Sequence, residues 1–179
     1  TLGAPIDEGD EKSSILEEAF RDALEDTSDN SDNTTPKASP DGLLEINAAR
    51  KALSEGNVDA CREKLRAAFA KAPNLPPPNL MFARLLLSAG HVAQGRAMLE
   101  QVAVSHPNHP DLYLLFGNLA LADGHATDAA LHFDRAWSLE SPKGWNELQQ
   151  AYLERAVLEG RTTVAERRGD WKQASELYQ

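Results

Sequence analysis

Three glycines stand at equal intervals along the chain and constrain its fold more than any other feature. Gly56, Gly90 and Gly124 are 34 residues apart, and the same interval separates Pro73 from Pro107. A fixed period of 20 to 50 residues is typical of repeat architectures. Each such repeat buries its apolar face only against its neighbours, which leaves an extended surface for binding. The spacing therefore predicts a solenoid of stacked units.

The same residue types recur at fixed distances from each of these glycines. Apolar residues precede the glycine at helical spacing, as Phe82 and Leu86 do in the second unit, and others follow it at that spacing. A small residue lies five positions after each glycine and a large apolar residue nine positions after it: Cys61, Gly95 and Ala129, then Leu65, Leu99 and Phe133. Each unit is therefore predicted to be a helix, a turn with a left-handed glycine and a second helix, which the proline ends.

Residues at these positions also match a known pattern, most fully in the third unit. That unit has Tyr113, Phe116-Gly117, Gly124, Ala129, Phe133 and Ala136; the second has Phe82-Ala83, Gly95, Leu99, Val102 and Pro107; the first has Glu45 in the aromatic position but Leu65, Ala68 and Pro73. The chain thus resembles the tetratricopeptide repeat family over roughly residues 42 to 179. The resemblance implies an all-α, right-handed superhelix of helix-turn-helix repeats whose first helices line a concave groove.

The repeats are predicted at residues 42–75, 76–109, 110–143 and 144–179, and the fourth departs from the period. The position of its expected glycine holds Leu158, and the matching motif follows 11 residues later at Gly169-Asp170-Trp171. Because 11 residues make about three helical turns, the insertion preserves the orientation of the helix faces. We expect a lengthened first helix from 144 to 168, a truncated second helix that stops at Gln179, and a longer parent protein.

Most of the negative charge lies before the repeats. Residues 1 to 42 carry 12 Asp or Glu against Lys12, Arg21 and Lys37, in a chain with a net charge of −10. Residues 1–12 are predicted to be an acidic disordered tail and 27–41 a disordered linker, because such polar segments do not offset the entropy of ordering. Residues 13–26 form an amphipathic pattern that is marginal as a free helix and should fold by docking through Ile15, Leu16, Phe20 and Leu24.

A second face of the first helices is the candidate binding site. It contains the residues ten, six and three positions before each glycine, with two more in the long helix: Ile46, Arg50, Leu53, Leu80, Arg84, Leu87, Leu114, Asn118, Leu121, Leu148 and Tyr152. Spacings of four and three place each set on one helix face. The resemblance implies that this face lines an aliphatic concave groove with Arg50 and Arg84 along it. The lysines and the first-repeat asparagine of the family's carboxylate clamp are not in the required positions.

An acidic amphipathic helix complements a groove of this kind, so residues 13–26 have three alternative destinations. They dock in the groove of their own chain or, by arm exchange, in that of a second copy to form a homodimer. In the second alternative, they pack elsewhere on the repeats. In the third alternative, they recruit a different protein.

Several other classes of function find no support in the sequence. The five histidines lack the spacing of a zinc site, and we interpret them as turn and surface residues: His91, His106, His109, His125 and His132. Cys61 is expected to be a buried structural thiol, and no phosphate loop or catalytic constellation occurs, so we expect neither catalysis nor a cofactor. No extended basic surface suits nucleic acid, and no apolar stretch is long enough to span a membrane. The cytoplasm is the default location, although a targeting or anchoring segment before Thr1 is compatible with the sequence.

The sequence therefore predicts a non-catalytic adaptor that binds a peptide or amphipathic helix in the groove of the solenoid. Two alternatives stay open. One is a structural module that assembles with itself through repeat edges and the N-terminal arm. The other is a regulatory repeat domain of a larger enzyme.

Overall fold

The computed structural model describes residues 40–177, and this part of the chain is built from helices without a strand. The predicted all-α repeat fold is thereby confirmed for these residues. The helices are α1 (Pro40–Ser54), α2 (Val58–Lys71), α3 (Pro78–Ser88), α4 (Val92–Ser105), α5 (Pro110–Ala122), α6 (Ala126–Ser138), α7 (Glu147–Arg167) and α8 (Trp171–Leu177). α1 begins two residues before the predicted start of the repeats. The predicted tail, the docking residues Ile15, Leu16, Phe20 and Leu24, and residues 27–39 of the linker lie outside the described residues.

The helices pack in consecutive pairs, and each pair contacts the next. α1 packs on α2, α3 on α4, α5 on α6 and α7 on α8. Between pairs, α2 contacts α3, α4 contacts α5, and α7 contacts both α5 and α6. Each pair thus buries its apolar face within itself and against its sequence neighbours, which is the arrangement expected of a solenoid. No helix in the described range is both long enough and apolar enough to cross a membrane.

Glycine ends the first helix of every pair in the left-handed conformation. Gly56, Gly90, Gly124 and Gly169 have φ values of 76°, 79°, 81° and 73°. At the first turn, the Asn57 N–H donates to the carbonyl of Ala52 at 2.8 Å, and the same six-residue hydrogen bond recurs at the other three turns. This is the Schellman motif, in which a residue without Cβ adopts positive φ at little steric cost. Gly169, which stands 11 residues later than the 34-residue period predicts, makes the same turn.

A buried phenylalanine joins the third and fourth repeats. Phe133 of α6 is fully buried, and its ring lies between the backbones of Gly117 on α5 and Gly160 on α7. A Cβ atom added at either glycine would lie only 2.5 Å from Cε1 of this ring. The two glycines therefore form a slot for the ring, and α7 approaches α5 and α6 closely at this level.

The N-terminal turns of α7, which we call its front, make this helix longer than the first helices of the other repeats. Its first turn has a capping box, in which Asn146 Oδ1 accepts from the Gln149 N–H and Gln149 Oε1 accepts from the Asn146 N–H. At the other end, Arg167 donates to the carbonyl of Leu121, the penultimate residue of α5. Since the rear of α7 is aligned with the end of α5, its additional turns reach past the beginning of α5 toward the earlier repeats.

Candidate functional site

The predicted groove residues on α1, α3 and α5 differ in how much surface they offer. The residues ten positions before the glycines, Ile46, Leu80 and Leu114, are buried in the core, as is Leu53. The remaining residues retain exposed surface: Arg50 is exposed, whereas Arg84, Leu87, Asn118 and Leu121 are half-buried. In place of the aliphatic trough expected from the sequence, the exposed surface has a row of polar residues with leucines beside it. The other aliphatic side chains are buried by packing. We call Arg50, Arg84, Leu87, Asn118 and Leu121 the first-helix stripe.

The two predicted groove residues of α7 lie in its additional turns. Leu148 is 59% exposed, and Tyr152 is half-buried and interacts electrostatically with Arg84. Counted back from the turn at Gly169, the positions equivalent to the predicted groove residues hold Glu159, Thr163 and Glu166 instead. Of the predicted groove residues on α3 and α7, Arg84 and Tyr152 are therefore close enough to interact electrostatically, while the rear of α7 continues the repeat with a more acidic surface.

Arg84, at the centre of the stripe, is part of an ion pair between two repeats. Its Nη2 lies 3.2 Å from Oδ2 of Asp111 on α5, and the side chains are only 17% and 4% exposed. Burial by itself lowers the pKa of the Arg84 guanidinium, but the charge of Asp111, the electrostatic interaction with Tyr152 and a hydrogen bond to Asp111 outweigh it and raise that pKa. Arg84 is therefore a buried cation that is held in place by a carboxylate.

His109 lies beside this ion pair and is buried, so its interpretation as a surface histidine was wrong. Its ring meets the edge of the Trp145 ring with 5.7 Å between centroids. Burial lowers the pKa of the His109 imidazole, Asp111 opposes this effect, and Arg84 and His106 reinforce it. The tryptophan comes from the connection before α7, and its packing could not be deduced from the local repeat pattern. His109 therefore stays neutral at a lower pH than an exposed histidine does.

Residues 145–152, which we call the cover, lie over this cluster. Gln149 Nε2 donates to the carbonyl oxygen of Asn74 at 3.0 Å, a contact between residues 75 positions apart in the chain. Trp145 contacts His109 and Tyr152 interacts with Arg84. The fourth repeat thus reaches back to the connection between the first and second repeats and partly closes the predicted groove.

An open groove follows the outward face of α7. It has a volume of about 460 Å³ and is lined by Ala151, Glu154, Arg155, Leu158, Glu159, Thr162 and Thr163. Arg155 and Glu159 form an i,i+4 ion pair with 3.9 Å between Nε and Oε1. Since its charged side chains have both signs, this groove does not select a ligand of one charge.

No set of three or more His, Cys, Asp or Glu side chains converges between residues 40 and 177. Cys61 is fully buried, and burial raises the pKa of its thiol, so it behaves as a small core residue. His91 and His125 precede α4 and α6 as exposed cap residues. The polar cluster beneath the cover is therefore a cluster of an ion pair and an imidazole.

Two residues of the site escaped the sequence analysis although one left a signal. Asp111 stands 13 positions before its glycine, where the other units have Leu43 and Pro77. An acidic residue in an otherwise apolar position is a sign of a specific partner, here Arg84. Gln149 gave no comparable signal, because its contact with Asn74 joins distant repeats.

Helix pairs closed by left-handed glycines and stacked in chain order define a helical repeat protein. The family model described as Tetratricopeptide repeat matches residues 52–119, from the end of α1 to α5. This match confirms the resemblance to tetratricopeptide repeats found in the sequence for residues 52–119. Proteins of this family are typically protein-interaction modules and are generally non-catalytic. Comparison with curated proteins gives no match to this chain.

Proposed function

We propose that this chain is a non-catalytic adaptor that binds an acidic amphipathic segment on the first-helix stripe. The observation that carries the proposal is the alignment of Arg50, Arg84 and Asn118 at one position of three successive first helices. Half-buried Leu87 and Leu121 lie beside this line. A ligand helix with an apolar stripe and acidic flanks complements leucines and arginines in such an arrangement.

The chain itself contains a segment of this chemistry. Residues 13–26 combine the apolar stripe of Ile15, Leu16, Phe20 and Leu24 with acidic neighbours. The 13 residues between this segment and Pro40 span about 20 Å as a flexible chain. Such a linker permits docking on the same chain, and docking on a second copy makes an arm-exchanged homodimer.

Anisotropy of a labelled peptide tests the proposal. The peptide spans residues 10 to 28, and the protein is the full chain with Leu16→Asp and Phe20→Asp, so that its own arm does not compete. We expect saturable binding that weakens at least fivefold on Arg50→Glu, because Arg50 is exposed on the stripe. Lys51→Glu is the matched control, since this residue is exposed one position away and pairs with Glu55 on its own helix. No binding at high micromolar concentration, or equal loss in both variants, would contradict the proposal.

Self-assembly is a second candidate function, favoured by exposed aromatic surface. The side chains of Trp137 and Trp171 are 48% and 69% exposed, and exposed large apolar groups often mark interaction sites. The mass of the full chain measured against concentration separates the possibilities. An increase that Trp171→Glu abolishes supports assembly through repeat edges. An increase that Phe20→Asp abolishes supports arm exchange instead.

A further inference from the structure

The cover differs from the rest of α7 in how deeply it is packed. None of its eight residues, 145 to 152, is buried, whereas buried residues recur along the rest of the helix from Leu153 through Val157 and Gly160 to Val164. The cover begins directly after Gly144, which has a φ of 92°. Segments with few buried apolar contacts open at a lower free-energy cost than a packed helix. This difference in burial predicts that the cover opens at a lower free-energy cost than the rest of α7.

The polar cluster beneath the cover is incompletely satisfied when the cover is closed. His109 Nδ1 and Asp111 Oδ1 are both buried without a hydrogen-bond partner among the described residues. Both residues are more than nine-tenths buried, and unpartnered buried polar atoms cost free energy. Since Trp145 packs against the His109 ring, opening of the cover would give water access to this imidazole and so offset part of the cost of opening.

We propose that the cover is displaceable, and that an acidic peptide segment takes its place over Arg84. This inference rests on the proposed function and deepens it, because it identifies how access to the stripe is regulated. Arg84 already holds a carboxylate, that of Asp111 at 3.2 Å, so the site is suited to the same chemical group from a ligand. Residues 42–109 carry eight Lys or Arg against five Asp or Glu, in a chain with a net charge of −10.

The occupant is residues 13–26 of the chain. They carry Glu17, Glu18, Asp22, Glu25 and Asp26 against the single basic residue Arg21. Opposite charge draws this segment toward the first two repeats. Because cover and segment use the same surface, the apparent dissociation constant of the segment equals its intrinsic value divided by the open fraction. Changes that loosen the cover should therefore tighten binding.

Hydrogen exchange followed by NMR tests the displacement on the full chain with Leu16→Asp and Phe20→Asp. The amides of Ala151, Tyr152 and Leu153 report on the cover, and those of residues 157–165 report on the packed part of α7. We expect saturating peptide of residues 10–28 to speed exchange of the cover amides at least threefold while leaving the packed part unchanged. Binding beside a cover that stays closed would instead slow the exchange of the cover amides. Slower or unchanged exchange of the cover amides would overturn the proposal.

Two glutamine variants test the energetic coupling. Gln149→Ala removes the hydrogen bond to Asn74 and the side-chain acceptor of the capping box, and should tighten peptide binding at least fivefold, the effect of losing one or more hydrogen bonds on the opening equilibrium. Gln150→Ala is the matched control, because this exposed neighbour donates to the Trp145 carbonyl within its own turn. Unchanged affinity in Gln149→Ala, with Arg50→Glu still weakening binding, would overturn the cover and leave the proposed function intact. Absence of peptide binding in all variants would show that residues 13–26 are not the ligand and would overturn the proposed function as well.

Discussion

At the residue scale, the two glycines around Phe133 show how a position disfavoured in a helix is retained for packing. Glycine in a helix interior costs about 1 kcal/mol relative to alanine, and Gly160 lies well inside α7. The sequence pattern alone marks it as a weak point of the helix. The structure places it against a buried ring that Gly117 contacts from another helix, so the missing side chain is what permits the contact.

Replacing Gly160 by alanine should therefore destabilise the chain despite the better helix propensity of alanine. The new Cβ would lie 2.5 Å from Cε1 of Phe133, and the ring cannot retreat because Gly117 is close to it as well. Overpacking of this kind costs about 1–3 kcal/mol, which urea unfolding measures. Phe133→Leu should recover part of the loss in the double variant, with clear non-additivity. A rise in the unfolding midpoint of Gly160→Ala would show that the slot is not tight.

The buried imidazole of His109 predicts a loss of stability in mild acid. Its pKa in the folded chain is lowered from the ordinary value of 6.5 by burial, and burial also lowers the pKa of His132. The unfolded chain therefore binds protons more readily than the folded chain does. These histidines should leave the free energy of unfolding unchanged above pH 6.5 and lower it as the pH drops below that value. Thermal unfolding between pH 8 and 5 measures this decline.

The variant His109→Phe should flatten this pH dependence, because it removes one of the two imidazoles whose pKa is lowered by burial and keeps a ring beside Trp145. His125→Gln serves as the control, since His125 is exposed at a turn, and should leave the dependence unchanged. An equally steep decline in His109→Phe would rule out His109 as a source.

At the element scale, α7 consists of two parts with different tasks. Its rear packs on α5, α6 and α8 through a regular series of buried residues, as the first helix of a repeat does. Its front donates a hydrogen bond to Asn74 and interacts electrostatically with Arg84, and Trp145 just before it packs against His109; these partners belong to earlier repeats. Helix periodicity predicts the rear from sequence, because its apolar spacing is local. It does not predict the front, whose partners are set by the geometry of the whole solenoid.

The two asparagine caps should differ in their effect on global stability for the same reason. Asn57 caps α2, where its Oδ1 accepts from the Ala60 N–H at 3.1 Å, and Asn146 caps α7 through its capping box. Asn57→Ala should lower the free energy of unfolding by about 1 kcal/mol, because α2 is packed along its length. Asn146→Ala should lower it by less, since the first turn of α7 frays without unfolding the rest.

Urea denaturation of both variants measures the two values, and hydrogen exchange locates the fraying to residues 147–152. If the Asn146 variant lost as much global stability as the Asn57 variant, the front of α7 would be an integral part of the folded core.

At the scale of the whole molecule, the buried residues form two clusters that meet at α5. The first extends from Ile46 of α1 to Leu119 of α5, and the second from Leu114 of α5 to Val164 of α7. Neighbouring repeats in a solenoid are coupled mainly to one another. Damage to one cluster should therefore spread only weakly to the far end of the other.

Phe133→Ala and Leu65→Ala test this division. Both side chains are fully buried, one in each cluster, and their truncation costs about 2–5 kcal/mol. Hydrogen exchange should accelerate most in α6 to α8 for Phe133→Ala and in α1 to α3 for Leu65→Ala. Uniform acceleration across all the described helices in both variants would indicate one cooperative unit.

Sequence reasoning recovered the parts of this molecule that local chemistry determines. The glycine turns followed from the need for positive φ, and the small residues five positions later are all buried, as at Cys61, Gly95 and Ala129. The exposure of the candidate site did not follow from the pattern. On their own helices, Ile46, Leu80 and Leu114 share a face with Arg50, Arg84 and Asn118 respectively, yet packing buries them. The pattern of one helix contains no information about its neighbours.

The two-part construction of α7 gives adjacent segments opposite tolerance to changes in chain length. Each helical residue turns the chain by about 100°, so one residue inserted between Tyr152 and Val157 would rotate the front of the helix away from Arg84 while the rear kept its place. An insertion in the preceding connection, near Pro142 and Gly144, lengthens the loop without rotating the helix. Inherited insertions and deletions after Asn146 should thus be tolerated only when their length preserves the orientation of the helix face. Those before Asn146 should be tolerated whatever their length.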